Sequence, residues 1–186
     1  MNNSFIEQAR TFVEEECHKP TSHYSEIFEN HLIPMRNLAV DLGERLGADV
    51  EVVELAAWFH DIGGILFGRE NHHQTGAKIA EKKLREWEYP EEKIMCVVHC
   101  ILTHRGSQNL LPETLEAQII LEADSMSNFD NLPGIFKAAY VDEGLTQPEA
   151  KKSAREKLAR KWHKLQFAES KQLIQPKYEA AMLLLS

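Results

Sequence analysis

Apolar residues recur at helical spacing along almost the whole chain, and this pattern constrains the fold more than any other feature of the sequence. No stretch alternates strictly between apolar and polar residues, as a half-buried strand would. Proline and glycine divide the pattern into segments. The predicted helices cover residues 5–17, 25–46, 50–60, 72–87, 90–104, 112–128, 135–141 and a long stretch from 147, in which Pro176 kinks or divides the last helix. The sequence therefore predicts an all-α fold.

Local signals set several of the predicted boundaries. Gly47 is placed to end the second helix, and Asp49 is a good N-cap for the third. Ile62, Gly63 and Gly64 break the helical pattern, so a loop is predicted from there through Gly68.

The length and composition predict one globular domain. The chain has 186 residues, of which 43% are hydrophobic and 27% charged, enough for a buried core without disulfides. It has 3 cysteines and no CxxC pair, so a reducing cytoplasm is the expected location. No run approaches the roughly 18 apolar residues of a membrane span, and the first residues lack the features of a secretory signal, so no membrane partner is expected.

Charge is distributed unevenly. The formal net charge of −8 argues against broad nucleic-acid binding as the main task, so a nucleic-acid partner is not expected. Residues 151–171 nevertheless contain eight Lys or Arg and two Glu. This basic segment either attracts a polyanion or is the solvated face of an amphipathic helix, which is the favoured interpretation. The residues that would then face the core are Ala154, Leu158, Trp162 and Leu165.

Three ionisable sites lie where the helical pattern predicts burial. His31 lies on an apolar stripe, the pair His60–Asp61 follows the apolar run ELAAWF, and Asp124 follows AQIILEA. Burying such groups is unfavourable unless they pair with one another or bind an ion. Imidazole and carboxylate are common ligands of Zn, Mn, Fe, Co and Ni, so a shared cation would compensate all four side chains.

Each of these residues also has an ordinary structural interpretation. A single histidine on an apolar face is more often a hydrogen-bonded core residue than a metal ligand. An aspartate at a helix end is usually a cap or an ion-pair partner. The metal hypothesis therefore depends on the combination of residues and on their order along the chain.

Two long stretches resemble the HD-domain metal-dependent phosphohydrolases. In HLIPMRNLAVDLGERLGADVEVVELAAWFHDIGG, His31 and the His-Asp-Ile-Gly run at residues 60–63 match the first half of that family's pattern, and Asp124 matches its distant aspartate. The stretch NHHQTGAKIAEKKLREWEYPEEKIMCVVHCILTHRGS is similar to the family's GA helix, its Pro-Glu-Glu helix start and the histidine that closes the next helix. The resemblance implies a single HD-type domain over residues 1–186, with a core at 23–128 and a C-terminal helical extension at 129–186.

The same resemblance implies a metal site. The positions that match the family's primary metal ligands are His31, His60, Asp61 and Asp124. Of these, His60 and Asp61 are the expected catalytic residues, and Asp61 would bridge two ions if two bind. Members with a second ion add ligands at positions that match His72, with His73 as the alternative, and His104.

Other positions bear on the substrate. Arg105 and Lys78 are candidates for binding phosphate, with solvent-exposed side chains as the alternative interpretation, while Arg36 is expected to pair with Asp41. Gly64 stands where some subfamilies carry a lysine after HDIG. No Gly-Tyr-Pro motif follows His104, and this argues against membership of the cyclic-dinucleotide phosphodiesterase branch of the family.

The resemblance implies hydrolysis of a phosphoester or phosphoanhydride in a small phosphorylated metabolite or nucleotide. Water activated by one or two ions of Mn, Fe, Co, Ni or Zn, with Mg as an alternative, would carry it out. The class of hydrolase stays open among phosphomonoesterase, phosphodiesterase and nucleotidase. The oligomeric state stays open as well, with a homodimer as one alternative. Two other functions remain: an HD-fold di-iron oxygenase, and a non-catalytic binding or regulatory module that keeps metal for stability.

Overall fold

The computed structural model describes residues 3–24, 26–105 and 110–186, and this part of the chain forms helices and loops without strands. The α-helices are α1 Asn3–Cys17, α2 Ile33–Leu46, α3 Val50–Phe59, α4 Ile62–Phe67, α5 His72–Glu86, α6 Glu91–Thr103, α7 Leu115–Ser127, α8 Leu132–Lys137, α9 Gln147–Lys164 and α10 Ala168–Leu184. Five-residue π-helical turns lie at Phe28–Leu32, before α2, and at Ala138–Asp142, after α8. The predicted all-α fold is confirmed.

The chain divides into two compact units, Met1–Leu121 and Glu122–Ser186, and the boundary falls inside α7. Whether the whole chain is a single domain with an HD core at 23–128 stays a prediction. Within the described residues, no helix combines the length and the apolar character that crossing a membrane requires.

In the first unit, α3 is the central helix. Its residues from Val52 to Phe59 are all buried, and it packs against α1, α2 and α6. The Asp49 side chain accepts a hydrogen bond from the backbone N–H of Val52 at its start, as predicted. Gly47, in the left-handed region at φ 73°, ends α2 as predicted. These two signals fix the turn that brings α2 and α3 together.

The prediction of a loop from Ile62 through Gly68 was wrong, because residues 62–67 form the short helix α4. Ile62 and Ile65 are fully buried, and this burial offsets the poor helix propensity of two adjacent glycines. Only Gly68, at φ 83°, leaves the helix. The predicted helix over 25–46 is a π-helical turn followed by α2, and its predicted start at Ser25 lies outside the described residues.

The second unit contains α8, α9 and α10. On α9, Ala154 and Leu158 are buried as the amphipathic pattern predicts, while Trp162 is half-buried and stacks on Tyr178 with 4.4 Å between ring centroids. The last break in the helical chain lies at residues 165–167 rather than at Pro176, which lies inside α10.

The buried carboxylate of Glu122 explains the position of that break. It accepts hydrogen bonds from the backbone N–H groups of Gln166 and Phe167 at 2.6 and 3.1 Å. These are donors just before α10 that helix geometry leaves without partners. A side chain distant in sequence therefore starts the last helix.

Candidate metal centre

His60 and Asp61 lie at the junction between α3 and α4. His60 is the C-cap of α3 and is fully buried, and Asp61 is the residue before α4. The backbone of Asp61, at φ −106° and ψ 5°, lies in the sparsely occupied bridge region that active-site residues often adopt. The junction places the two adjacent side chains together, with 3.4 Å between His60 Nε2 and Asp61 Oδ2.

His31 joins this pair from the π-helical turn before α2. Its Nε2 atom lies 3.0 Å from Nε2 of His60 and 3.3 Å from Oδ2 of Asp61. The Nδ1–H group of His60 donates to the backbone carbonyl of Ala57 at 2.8 Å, which leaves its Nε2 atom as a lone-pair donor for an ion. A hydrogen bond between the two Nε2 atoms requires His31 to be in its Nε2–H tautomer, whereas a cation would accept the lone pairs of both rings.

A second histidine pair lies on the other side of Asp61. The Nε2 atoms of His72, at the start of α5, and of His104, just after α6, are 3.2 Å apart. They lie 3.4 and 3.8 Å from Asp61 Oδ1. Both rings donate through Nδ1 to a backbone carbonyl, of Arg69 at 2.9 Å and of Ile101 at 2.6 Å, so both Nε2 lone pairs point away from these carbonyls.

Asp61 therefore lies between two pairs of imidazoles, with one oxygen towards each. Burial alone would raise its pKa, but the positive charge of His60 and the hydrogen bonds from His31 and His60, when these rings are protonated, hold the pKa well below its usual range. The rings of His60 and His104 contact each other edge to face, with 5.3 Å between their centroids, so the two pairs form one continuous cluster.

The donor atoms fit metal ions. Ligand atoms at about 2.0–2.2 Å from a common ion in tetrahedral or octahedral geometry lie roughly 3.0–3.5 Å apart. The three distances among His31, His60 and Asp61 Oδ2 are 3.0, 3.3 and 3.4 Å. Those among His72, His104 and Asp61 Oδ1 are 3.2, 3.4 and 3.8 Å, so the distance from His104 to Asp61 is slightly longer than this range. These side chains can hold one divalent ion on each side of the carboxylate.

Two glycines allow the close approach of α4 and α5. A Cβ atom on Gly63 would lie 2.2 Å from the carbonyl oxygen of His72 and 2.6 Å from the amide nitrogen of Gly76. A Cβ on Gly76 would in turn lie 3.3 Å from the backbone nitrogen of Gly63. Only glycine at residue 63 permits this contact, and the contact brings His72 to Asp61.

The other predicted residues take varied positions. His73 is buried, but the ring that faces Asp61 belongs to His72, and the His73 ring is perpendicular to it at 6.0 Å. Burial, with the charges of His72 and Arg105, lowers the pKa of His73. Arg105 is half-buried directly after His104, and Lys78 is exposed on α5. Their role in phosphate binding stays a prediction.

Asp124 lies in the second unit, on the C-terminal half of α7. Its carboxylate pairs with Lys161 Nζ at 2.8 Å, and Ser127 and Asn128 donate to its backbone carbonyl at 2.9 and 2.8 Å. Its predicted role as a metal ligand stays a prediction.

A family model agrees with these residues. The HD domain model matches residues 28–128, which is more than half of the chain. The chain belongs to the HD-domain family. The matched range contains all five side chains of the cluster around Asp61 and also contains Asp124.

Known proteins similar to this HD domain include two ribonucleases Y. Those from Alkaliphilus metalliredigens and Chloroflexus aurantiacus are 30% and 29% identical over 111 residues, 59% of this chain. The match covers 21% and 20% of those proteins, so the chain spans about a fifth of the length of the curated relatives it matches.

Solved structures extend the likeness of fold. Bacillus subtilis YpgQ in complex with ADP has a TM-score of 0.76 and 19% identity, with 96% of this chain and 89% of that chain covered. An HD-superfamily hydrolase from Bacillus thuringiensis has a TM-score of 0.75 and 20% identity, with 99% and 94% covered. At these identities the comparison concerns the fold alone.

Sequence reasoning missed two positioning features. One is the close contact of Gly63 with Gly76. Its signal in the sequence is a glycine two residues after Asp61 together with a glycine four residues after His72. The other is the ion pair between Arg36 on α2 and the buried Glu54 on α3, with Arg36 Nε 2.7 Å from Glu54 Oε1. The expected pairing of Arg36 with Asp41 was wrong, because Asp41 pairs with Arg45 one turn along α2.

Proposed function

We propose that this HD domain hydrolyses a phosphoester or phosphoanhydride bond of a small phosphorylated compound, with divalent ions held on both sides of Asp61. One observation carries the proposal: four imidazole Nε2 atoms converge on the two oxygens of one carboxylate at ligand–ligand distances. Three of these rings donate through Nδ1 to backbone carbonyls, so in the neutral form they face the carboxylate with Nε2 lone pairs, an arrangement that a cation would stabilise.

The first ion would be held by His31, His60 and Asp61, and the fourth ligand would be Asp124, as the resemblance implies. The second ion would be held by Asp61, His72 and His104. Mixed nitrogen and oxygen donors suit Mn, Fe, Co, Ni or Zn better than Mg, which prefers oxygen ligands. When bound, such ions polarise a phosphoryl oxygen and lower the pKa of a water molecule so that hydroxide is available near neutral pH.

The protein's own residues have distinct tasks in this proposal. The carbonyls of Ala57, Arg69 and Ile101 hold three imidazoles in the tautomer that leaves Nε2 deprotonated. Asp61 supplies the carboxylate that faces all four Nε2 atoms, and the ions would compensate its negative charge. Arg105, adjacent to His104, is proposed to bind a non-reacting phosphoryl oxygen through its guanidinium group.

Nucleotides are the first substrates to test. YpgQ, with the same fold, binds ADP, and the ribonuclease Y relatives act, by their name, on a phosphodiester polymer. Both observations favour a phosphorylated nucleoside over a simple sugar phosphate. The low identities leave the leaving group open, so a panel must include phosphomonoesters, phosphodiesters and phosphoanhydrides.

The test begins with the metal content of the purified protein, measured by elemental mass spectrometry without added metal. One or two equivalents of a transition metal are expected, followed by hydrolysis of at least one member of the panel with that metal. Two equivalents of iron with oxygen consumption would instead identify an oxygenase. Bound metal without turnover, together with unfolding on chelation, would identify a non-catalytic module.

A further inference from the structure

Lys161 on α9 forms a partly buried ion pair with Asp124 in the second unit. Its Nζ atom lies 2.8 Å from Asp124 Oδ2, and the two side chains are 21% and 19% exposed. The same unit contains an ion pair for comparison, between Lys177 on α10 and Asp130, in which the side chains are 47% and 28% exposed. The pair of Lys161 and Asp124 is the less exposed of the two, so solvent and salt screen its charges less.

Two further cations lie near this ion pair at the end of α9. Lys164 is three residues after Lys161 and four after Arg160, spacings that place side chains on one face of a helix. Partial burial and the charges of Lys161 and Arg160 lower the pKa of Lys164. Asp124 acts in the opposite direction on the same ammonium group. These three cations and one carboxylate together leave an excess of positive charge, which favours an anion.

The proposed function gives the Asp124 carboxylate a second cationic partner. In that proposal Asp124 is a ligand of the first ion, and the present inference rests on this role. An ion held by Asp124 would be a near neighbour of the Lys161 ammonium group, because that group already lies at hydrogen-bond distance from the carboxylate. Two cations that share one carboxylate repel each other. The ion pair therefore opposes binding of the ion, and the bound ion leaves the ammonium group with positive charge that an anion can compensate.

We propose that Lys161 binds a phosphoryl oxygen of the substrate and that Asp124 holds its ammonium group until the ion is bound. Lysine suits both tasks, because its ammonium group is a point charge with three donors on a flexible stem and can turn from one oxygen to another. A phosphoryl group is the anion that the proposed reaction brings to the ion, and lysine binds phosphate well. The same charge thus weakens binding of the ion and strengthens binding of the substrate.

Removal of the Lys161 charge should therefore change the two affinities in opposite directions. In Lys161→Met, one of the two Mn²⁺ ions should bind about tenfold more tightly, because a neighbouring positive charge is lost. Inorganic phosphate should bind the Mn²⁺-loaded variant about tenfold more weakly than the loaded wild-type protein. Isothermal titration calorimetry on the full chain measures both affinities without any turnover, first with Mn²⁺ alone and then with phosphate.

Three further variants separate the charge of Lys161 from its hydrogen bond and from ion pairing in general. Lys161→Gln can still donate a hydrogen bond to Asp124 but has no charge, so it should behave like Lys161→Met. Lys161→Arg keeps the charge and should stay within about threefold of the wild type for both ligands. Lys177→Met removes the comparison ion pair with Asp130 and should change neither affinity by more than about twofold.

A purely structural ion pair would give a different result, since its loss would weaken both ligands or neither. Such a result in a variant with wild-type circular dichroism, or wild-type affinities in Lys161→Gln, would overturn the role of Lys161. The proposed function would still stand if the wild-type protein binds Mn²⁺ and hydrolyses a phosphorylated compound. If Lys161→Met does not fold, Lys161→Gln provides the same comparison. A wild-type protein that binds no Mn²⁺ would refute the proposed function and this inference together.

Discussion

The two histidine pairs beside Asp61 have nearly the same spacing but different surroundings. The Nε2 atoms are 3.0 Å apart in the pair of His31 and His60 and 3.2 Å apart in the pair of His72 and His104. Each pair has one buried ring, with His60 0% and His104 3% exposed, and one ring that reaches solvent, and His31 in the first pair is more exposed, at 17%, than His72 in the second, at 11%. Since a catalytic ion needs an open position for water and substrate, we expect the first pair to face the substrate and the second to hold its ion more tightly.

Removing the shared ligand, Asp61, should eliminate both ion sites and therefore the difference between the two histidine pairs. Asp61→Asn replaces the carboxylate that faces both pairs with an amide that carries no charge, so both ions should be lost. Hydrolysis should fall by about 10³-fold, equivalent to about 4 kcal/mol of activation free energy. Elemental mass spectrometry and steady-state kinetics check this expectation. Retention of both ions by a folded Asp61→Asn protein would refute the bridging role.

Variants of one histidine from each pair should separate the two sides. His31→Ala should lose the first ion and reduce hydrolysis about 100-fold, because it removes a ligand of the exposed ion. His104→Ala should lose only the second ion and reduce hydrolysis about tenfold. The metal content of each variant, with His73→Ala as the control that keeps both ions, measures the difference. Identical losses in His31→Ala and His104→Ala would mean that the pairs form one inseparable site.

The glycine contact should matter for the second pair alone. In Gly63→Ala, the new Cβ would meet the carbonyl oxygen of His72 at 2.2 Å, so α5 must shift. We expect a loss of about 2 kcal/mol of unfolding free energy, within the usual cost of overpacking, and loss of the second ion. In Gly64→Ala the nearest atom would be 3.5 Å away, on Tyr24, so this neighbour is the matched control. Thermal unfolding and metal content should distinguish the two, and equal behaviour would contradict the role assigned to Gly63.

The ion pair between Arg36 on α2 and the buried Glu54 on α3 should stabilise the first unit more than an exposed ion pair within α2 does. Arg36→Ala leaves the buried Glu54 carboxylate without its guanidinium partner, and we expect a loss of about 1–3 kcal/mol of stability. Arg45→Ala removes an exposed pair with Asp41 and should change stability by less than about 0.5 kcal/mol. Denaturant unfolding checks both values. If Arg45→Ala is as destabilising as Arg36→Ala, burial of Glu54 is not what makes its ion pair important.

The sequence was most informative where one local rule dominates. Asp49 and Gly47 mark helix ends because a cap hydrogen bond and a left-handed backbone each require particular residues. Residues 62–67 were misassigned because α4 is too short to show a period and contains two glycines, while tertiary burial decides its conformation. The break at 165–167 was missed because it depends on Glu122, more than forty residues away.

The candidate site followed from the sequence in a similar way. His31, His60 and Asp61 could be predicted from their order in the sequence, because they match the pattern of the HD-domain family. His72 was the predicted match, but His73 had to stay as the alternative, since the choice depends on how α5 crosses α4. The partner of Arg36 was misjudged for two reasons. Glu54 is on another helix, and Asp41 lies five residues after Arg36, outside the i+3 and i+4 positions that let side chains of one helix pair.

The three ring–carbonyl hydrogen bonds of the cluster share one geometry: His60, His72 and His104 each donate to the carbonyl three residues earlier, at Ala57, Arg69 and Ile101. Each ring is therefore anchored by its own stretch of backbone and not by the other ligands. Ordering a free side chain is entropically unfavourable, and for these three rings the hydrogen bonds to the backbone provide that order without an ion. Three of the four imidazoles are therefore preorganised, so an ion can be exchanged without a change in their rotamers.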